Sequence, residues 1–420
     1  MDFETVRASD PAVGDALSKE RERQGSTLSM IASENHASRA VLEAQGSPLT
    51  NKYAEGYPGA RYYGGCEHVD EVEELAIERA KELWGAEHVN VQPHSGTQAN
   101  MAVYFSLLEP GDTILSLALD DGGHLSHGHH VNFTGQLYDV KRYSVDPETG
   151  YIDYEDVAET AEAVDPDIIV SGYSAYPRTV DWERFQAVAE AVDAVHLADI
   201  AHITGLVAAG EHPSPVGVAD FVTGSTHKTI RAGRGGIIMT GADRADDLDS
   251  AVFPGTQGGP LMHNIAGKAV GFREALDPAF ERYAAQVVAN AKALAAGLQD
   301  RGLTLSSGGT DTHLVLADLR ESHPEVSGGD AESALERCGI VLNANTVPNE
   351  TRSPFDPSGI RAGTPALTTR GMDEDAMRTI AECIIDVIDD IAETGELSDA
   401  TQDAVQEEVD RLCAAHPVYE

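Results

Sequence analysis

Residues 219–236, ADFVTGSTHKTIRAGRGG, place Lys228 directly beyond an apolar strand. A lysine at such a position is unusual, because removing an ammonium group from water is costly. One interpretation is a surface lysine at a strand end. The other is a lysine that forms a Schiff base, since partial burial favours the neutral amine that attacks an aldehyde. Lys228 is therefore the first candidate catalytic residue.

A Schiff-base lysine in a pyridoxal phosphate enzyme needs two further groups. The first is a carboxylate at the pyridine nitrogen, and VHLADIAHITG offers Asp199 at a strand end, with His202 three residues later. The second is a helix N-terminus with hydroxyl side chains for the phosphate, and HSGTQAN offers Ser95, Gly96 and Thr97. The alternatives are a strand-end cap for Asp199 and a plain helix cap for HSGTQAN, the latter compatible with phosphate binding.

The segment DDGGHLSHGHH, residues 120–130, supports a rival hypothesis. Its His127, His129 and His130, with Asp120 or Asp121, are residue types that ligate zinc or another divalent ion. A metalloenzyme is therefore one alternative to a pyridoxal phosphate enzyme.

The elements that position these residues follow from the hydrophobic pattern. Apolar runs alternate with helical stretches, and the runs are DTILSLAL, DIIVSGYSA, AVHLADIA, ADFVTGS and GGIIMTG. This rhythm predicts an α/β fold of three layers, a mostly parallel sheet with helices on both faces and ligands at the carboxyl ends of its strands. Helical spacing predicts helices over residues 69–83 and 95–108.

The chain beyond residue 278 predicts a smaller α+β domain. A long helical pattern over residues 278–301 precedes the strand HLVLADLR and helices near 331–337, 372–391 and 400–414. We therefore expect an N-terminal arm at 1–40, a large domain at 41–277 and a small C-terminal domain at 278–420.

The composition limits the partners and the compartment. With 70 Asp+Glu against 29 Lys+Arg, the formal net charge is −41, which disfavours nucleic acid and anionic membrane surfaces. An evenly spread charge of this size suits concentrated salt, where repulsion is screened, and indicates a halophilic source. The four scattered cysteines and the lack of a long apolar run predict reduced thiols and a cytoplasmic protein.

Eight segments resemble, in order, the motif series of serine hydroxymethyltransferase from about Ser29 to Gly371, and the closing HPVY is also similar to that family. They are MIASENHAS, LTNKYAEGYPGARYYGG, NVQPHSGTQAN, GGHLSHG, HLADIAH, STHKTIRAGRGG, AVFPGTQGGPLMH and GIRAGTPALTTRG. The resemblance implies the fold type I pyridoxal phosphate architecture, similar to aspartate aminotransferase. Asp121 departs from the family, which usually has a histidine there.

The resemblance also implies how the cofactor is bound. Lys228 would carry pyridoxal phosphate covalently, Asp199 would pair with the pyridinium nitrogen, and His124 would stack on the ring as an aromatic plate. Ser174 and His202 would lie near the phenolic oxygen. The residues implied for the phosphate are Ser95, Gly96, Thr97 and Ser225, with Gly258 and Gly259 of a neighbouring subunit.

For the substrates, the resemblance implies that Arg361 clamps the carboxylate of the amino acid in a bidentate pair and that Ser33 contacts the same substrate. Tyr53, Glu55 and Tyr63 would reach into the partner's active site, with Tyr53 at the cofactor, Tyr63 at the substrate and Glu55 as the acid/base group near the serine hydroxyl and the folate. The family assignment thus requires a homodimer with shared sites, or a tetramer built from such dimers.

The implied reaction is the reversible conversion of serine and tetrahydrofolate, or a related pterin, to glycine and the methylene derivative. The rivals are a folate-independent aldolase for threonine and other β-hydroxy amino acids, and a non-catalytic relative that acts as a binding scaffold. No resident metal is expected, because the acidic bias of the chain accounts for Asp120 and Asp121. We expect His127 to be structural or near the folate, and His129 and His130 to lie on the loop surface.

Overall fold

A computed structural model describes residues 3–419. Its centre is a seven-stranded sheet in which the strand Gly236–Thr240 runs antiparallel to both neighbours and all other pairs are parallel. In spatial order the strands are His88–Asn90, Gly236–Thr240, Phe221–Ser225, Val195–Asp199, Ile168–Ser171, Thr113–Leu117 and Asp139–Tyr143. The expected α/β fold with a mostly parallel sheet is confirmed.

Both edge strands of this sheet, His88–Asn90 and Asp139–Tyr143, were absent from the sequence expectation. The first is only three residues long, and the second, DVKRY, carries three charged side chains. An edge strand is paired on one side only, so it needs no continuous apolar run. The five predicted runs form the five inner strands.

Helices cover both faces of the sheet. One apolar core packs Val69, Ala76 and Phe272 from two helices against the sheet, and another packs Ala99 and Val103 from the opposite side. Within residues 3–419, the helices of ten or more residues are Pro11–Ser26, Glu67–Trp84, Gly96–Leu107, Tyr154–Val164, Trp182–Ala191, Met262–Ala275, Pro278–Asp300, Gly328–Arg337, Glu374–Thr394 and Asp399–Ala415. The three-layer arrangement thus follows from apolar faces on both sides of the sheet.

A second, antiparallel sheet lies in the C-terminal part of the chain. Its strands, in spatial order, are Thr304–Leu305, Leu314–Asp318, Gly359–Gly363 and Asn343–Asn345. Its core also contains Leu28 and Met30, because Leu28–Ser29 pairs in parallel with Ile340–Val341. The N-terminal segment is therefore packed against the C-terminal core.

The helix Pro278–Asp300 connects the two regions. Its first half, including Phe280 and Val287, packs into the core of the large sheet, and its second half, including Leu294 and Leu298, packs into the C-terminal core. Its N-cap is Asp277, whose carboxylate accepts from Ala279 N at 2.8 Å, with Pro278 in the first helical position, where no N–H is needed. None of the described helices is long and apolar enough to cross a bilayer.

Candidate active site

Lys228 follows the strand Phe221–Ser225 at the carboxyl edge of the large sheet. The turn that carries it is closed by Thr226, whose Oγ1 donates to Gly233 O at 2.6 Å and whose N donates to Gly235 O at 3.0 Å. From the N-terminal segment, Asn35 Nδ2 donates to Lys228 O at 2.9 Å. The backbone of Lys228 is therefore held from two sides while its side chain faces a cavity.

Two cavities meet at Lys228. One, of about 200 Å³, is lined by Ser95, Gly96, Thr97, Asp199 and Ser225, and the other, of about 570 Å³, by Ser33, Asn345, Thr346 and Arg361. The residues common to both include His124, Ser174, His202 and Lys228. The structure thus brings together the candidate residues for the cofactor and for the substrate carboxylate.

A larger cavity lies elsewhere. It has about 660 Å³ and is lined by His36, Arg231 and Tyr419, among others. It contains neither Lys228 nor Asp199. Size alone therefore does not identify the site.

The environment of Lys228 favours its neutral amine. Burial, with the nearby guanidinium groups of Arg361 and Arg234, lowers the pKa of Lys228 to about 8, while the charge of Asp199 acts in the opposite direction. A lysine in this state is a better nucleophile at neutral pH than one in water.

Asp199 ends the strand Val195–Asp199 and is buried. Its Oδ2 accepts from His127 Nε2 and from Asn100 Nδ2, each at 2.8 Å, and its Oδ1 accepts from Ala201 N at 2.9 Å. Burial alone would raise the pKa of this carboxyl, but the hydrogen bond and charge of His127, with Asn100, hold it below the ordinary value. Asp199 is thus an oriented carboxylate on the cavity wall.

The expected phosphate site is the N-terminus of the helix Gly96–Leu107. Ser95 is the N-cap, and its Oγ accepts from Gln98 N at 3.2 Å. The N–H groups of Gly96 and Thr97 have no acceptor within the helix, since first-turn amides never do. A Cβ at Gly96 would lie 2.8 Å from Ser225 Oγ, so the cradle depends on a glycine there. This set of donors fits a phosphate.

Arg361 reaches the cavity from the C-terminal sheet. Its Nη1 donates to Ser174 O at 2.7 Å and its Nε to Asn343 Oδ1 at 3.1 Å. Burial lowers the pKa of Arg361 to about 10, which leaves it a cation at neutral pH. Its Nη2 has no hydrogen bond to any residue between 3 and 419, so it keeps donors for an anion.

His202 also contacts the C-terminal sheet. Its Nδ1 lies 3.2 Å from His313 Nε2, and both rings are buried. Burial lowers the pKa of both, that of His313 to about 3. A neutral histidine pair therefore joins the two sheets beside Lys228.

The histidine-rich loop, residues 120–130, does not bring His127, His129 and His130 together as metal ligands. His127 points to Asp199, His130 is exposed, and the His129 and His130 rings lie against each other with centroids 4.2 Å apart. His129 is half-buried, so only His130 lies fully on the surface as expected. A Cβ at Gly123 would lie 2.5 Å from Leu117 O. The close packing of this loop against the end of the strand Thr113–Leu117 therefore requires glycine at position 123.

Among residues 3–419, one group of three side chains has ligand atoms close enough to hold an ion, namely His124, His127 and Asp199. All three side chains already have hydrogen-bond partners, because His127 Nε2 bonds Asp199 and His124 Nδ1 lies 2.7 Å from Ser126 Oγ. Burial, with His127, lowers the pKa of His124 to about 4. His124 is therefore a neutral ring at the wall of both cavities.

Tyr53, Glu55, Tyr63, Gly258 and Gly259 form a separate cluster that lines neither cavity at Lys228. The rings of Tyr53 and Tyr63 meet edge to face at 5.7 Å, and Tyr63 Oη lies 3.4 Å from Glu55 Oε2. A Cβ at Gly259 would lie 3.1 Å from the Tyr53 ring. Both tyrosines are more than half exposed, so one chain presents this cluster at its surface.

Several residues at the site escaped the sequence reasoning. Asn100 and His127 hold Asp199, His313 contacts His202, and Asn343 bonds Arg361. His127 and Asn100 did stand in quoted motifs, as the second histidine of GGHLSHG and the last residue of HSGTQAN. His313 and Asn343 lie far along the chain from the large sheet, and no local pattern marked them as site residues.

Comparisons with known proteins agree with this geometry. The family model of serine hydroxymethyltransferase matches residues 6–384. The serine hydroxymethyltransferase of the halophilic archaeon Halobacterium salinarum is 70% identical over 420 residues, covering 100% of both chains. That of Natronomonas pharaonis is 69% identical over 420 residues, covering 100% of this chain and 98% of its own. The enzyme of Alkalilimnicola ehrlichii is 54% identical over 418 residues, covering 99% and 98% respectively.

Proposed function

Because the chain belongs to the serine hydroxymethyltransferase family, we propose that Lys228 is the residue to which its pyridoxal phosphate is attached. The chain is a pyridoxal phosphate-dependent transferase that converts serine and tetrahydrofolate to glycine and 5,10-methylenetetrahydrofolate. The observation that carries the assignment is the cavity itself, in which Lys228, with its lowered pKa, shares walls with Asp199 and the helix N-terminus at Ser95.

Pyridoxal phosphate, when bound, supplies a conjugated ring that accepts the electrons released as the Cα–Cβ bond of serine breaks. In our proposal Asp199, ionised and fixed by His127 and Asn100, holds a proton on the pyridine nitrogen. His124 would cover the ring face as a neutral aromatic plate. Ser174 and His202, which line both cavities, would lie near the phenolic oxygen.

We propose that Ser95, Gly96, Thr97 and Ser225 hold the phosphate. The helix N-terminus supplies N–H donors and a favourable dipole. Gly96 has no side chain, and Ser225 Oγ lies beside it, which supports the same assignment.

The substrate amino acid would bind between Arg361 and Lys228. Arg361 is pre-oriented by Ser174 O and Asn343, which leaves the Nη2 donors for the carboxylate. Ser33 lines the same cavity and would contact the amino acid. Fixing the carboxylate in this way sets which bond at Cα stands perpendicular to the ring, and so selects the bond that breaks.

We further propose a homodimer in which Tyr53, Glu55, Tyr63, Gly258 and Gly259 complete the partner's site. Their separation from Lys228 within one chain, and the exposure of both tyrosines, support this arrangement. Glu55 would then exchange a proton with the serine hydroxyl near the folate. An aldolase without folate has no use for this cluster, and a scaffold has no use for Lys228, Asp199 and Arg361 around one cavity.

The division of the chain near residue 278 into a large and a small domain, with an arm at 1–40, is also part of the proposal. The contacts of Arg361 and His313 with the large sheet support a small domain that contributes to the site. A cytoplasmic location agrees with four free, buried cysteines.

The test of the assignment is the variant Lys228→Ala. We expect serine cleavage that depends on tetrahydrofolate to fall by at least about a thousandfold, as for loss of a covalent catalyst. The long-wavelength absorbance of the protein-bound cofactor should shift as the link to the protein is lost. Lys292→Ala, which changes an exposed helical lysine, is the control. A Lys228→Ala enzyme with full turnover would refute the assignment.

A further inference from the structure

Lys268 is a buried cation that the proposed reaction does not use. It lies on the helix Met262–Ala275 with a relative exposure of 1%. Its Nζ donates to Val91 O at 2.6 Å, to Gly236 O at 2.8 Å and to Pro93 O at 3.0 Å. All three ammonium hydrogens therefore have acceptors, and all three acceptors are backbone carbonyls.

Two of these carbonyls, those of Val91 and Pro93, belong to the segment that leads into the phosphate cradle, and the third belongs to the adjacent strand Gly236–Thr240. The segment that contains Val91 and Pro93 connects the strand His88–Asn90 to Ser95 and to the N-terminus of the helix Gly96–Leu107. This connection is irregular backbone, so its carbonyls are not paired in a regular ladder, although Pro93 O accepts from Gly236 N at 2.9 Å. Lys268 supplies a donor to both carbonyls from the helix Met262–Ala275.

Gly236, the first residue of the neighbouring strand Gly236–Thr240, also contacts this loop. Its N donates to Pro93 O at 2.9 Å, and a Cβ there would lie 2.3 Å from Ser95 O. The strand Gly236–Thr240 thus touches the peptide of Ser95 directly. Because Lys268 also donates to Gly236 O, its side chain links the loop to the strand Gly236–Thr240.

The geometry requires the charged form of Lys268. Burial lowers its pKa to about 7, while the charge of Glu73 acts in the opposite direction. A neutral amine has only two hydrogens and could not make all three hydrogen bonds. Lys268 lines neither cavity at Lys228, so it has no access to a substrate and acts on the loop.

We propose that Lys268 is a positioning residue that shapes the loop 91–97 for the cofactor phosphate, so that the preference for phosphorylated over unphosphorylated cofactor depends on it. This inference rests on the proposed assignment of Ser95, Gly96 and Thr97 to the phosphate. Without Lys268, each of the three carbonyls would lose a donor, and we expect the amides at Gly96 and Thr97 to shift as the loop relaxes.

The experiment compares the affinity of the apoenzyme for pyridoxal phosphate and for pyridoxal, which lacks the phosphate. In Lys268→Met, which keeps the length and apolar stem of the side chain, we expect pyridoxal phosphate to bind at least about tenfold more weakly and pyridoxal to change less than about threefold. Lys268→Arg, which keeps a cation with several donors, should recover part of the preference. Lys292→Met is the matched control on an exposed lysine.

The ratio of the two affinities separates positioning from general stability, because a loosened fold weakens both ligands alike. An equal loss for both, or no loss for either, would overturn the proposal. If Lys268→Met yields no folded protein, Lys268→Gln, which keeps amide donors, replaces it under the same two criteria.

Ser95→Ala distinguishes this proposal from the phosphate assignment on which it rests. If the wild-type apoenzyme shows no preference for pyridoxal phosphate, or Ser95→Ala leaves that preference intact, the phosphate assignment fails. If Ser95→Ala reduces the preference and Lys268→Met does not, the role of Lys268 alone fails.

Discussion

His127 Nε2 lies 2.8 Å from Asp199 Oδ2, and both side chains are buried. A histidine from the loop that first suggested a metal site is therefore the partner of the carboxylate at the centre of the proposed cofactor site. Because a buried carboxylate needs donors to stay ionised, the function of Asp199 depends on His127.

We expect His127→Ala to weaken cofactor binding about tenfold to a hundredfold, the cost of removing one hydrogen bond from a buried charged group. The pKa of Asp199 should rise, because the remaining donors stabilise its charge less. Equilibrium binding of pyridoxal phosphate and the pH profile of turnover would measure both effects. His130→Ala, which changes the exposed neighbour, should leave both unchanged. Unaltered binding in His127→Ala would contradict the role of this pair.

The lowered pKa of Lys228 predicts the pH dependence of cofactor capture. Lys228 with a pKa of about 8 is deprotonated above that pH, so the apoenzyme should react faster as the pH rises from 7 to 9. The neutral fraction grows about tenfold over that interval and then levels off, whereas an ordinary lysine would gain about a hundredfold and continue to rise. Stopped-flow absorbance between pH 6 and 10.5, roughly the span of both pKa values, distinguishes the two curves. A rate that rises throughout would show that the cavity does not depress the pKa.

Shared active sites predict complementation between two inactive variants. In a heterodimer of Lys228→Ala with Glu55→Gln, one site would carry both defects and the other would be intact. Random reassociation should restore about a quarter of the wild-type activity, since half of the dimers would each have one intact site. Each variant dissociated and reassociated alone is the control. If Glu55 acts within its own chain, each site of the mixed dimer is defective and no activity returns.

The contact between His202 and His313 predicts that a substitution in the C-terminal part of the chain affects catalysis. His313→Ala would leave the buried Nδ1 of His202 without its partner, at a cost of about 1 to 3 kcal/mol. We expect kcat/KM for serine to fall about fivefold to a hundredfold. Steady-state kinetics on His313→Ala and on His68→Ala, which changes an exposed histidine, provide the comparison. An effect no larger than that of His68→Ala would indicate that the pair has no role in the site.

The net charge of −41 predicts that salt stabilises the fold. The Debye length falls from about 10 Å at 0.1 M to about 3 Å at 1 M, so repulsion between acidic side chains weakens. We expect the Tm to rise between 0.1 M and 2 M KCl, concentrations that span this screening range, in a calorimetric scan. Sucrose at matched osmolality is the control, because it strengthens burial without screening charge. Equal shifts in KCl and sucrose would argue against an electrostatic origin.

Local chemistry along the chain determined much of this protein. Continuous apolar runs predicted the inner strands of the large sheet, such as Phe221–Ser225, because a strand buried on both faces must be apolar throughout. A capping hydroxyl, of Ser95 or Thr97, predicted the start of a helix, and the structure places Ser95 at the N-cap. The same rules placed Lys228 and Asp199 at strand ends, where a parallel sheet presents its ligands.

Only the tertiary structure decided which distant residues meet. His127 reaches Asp199 across 72 residues, and Lys268 reaches Val91 across 177. Strand order brings these pairs together, and no local periodicity encodes it. For the same reason the separation of Tyr53 and Glu55 from Lys228 was implied by the family resemblance and by no local pattern. Hydrophobic period and capping depend on near neighbours, whereas the donors that keep a buried charge stable come from whichever elements the topology packs beside it.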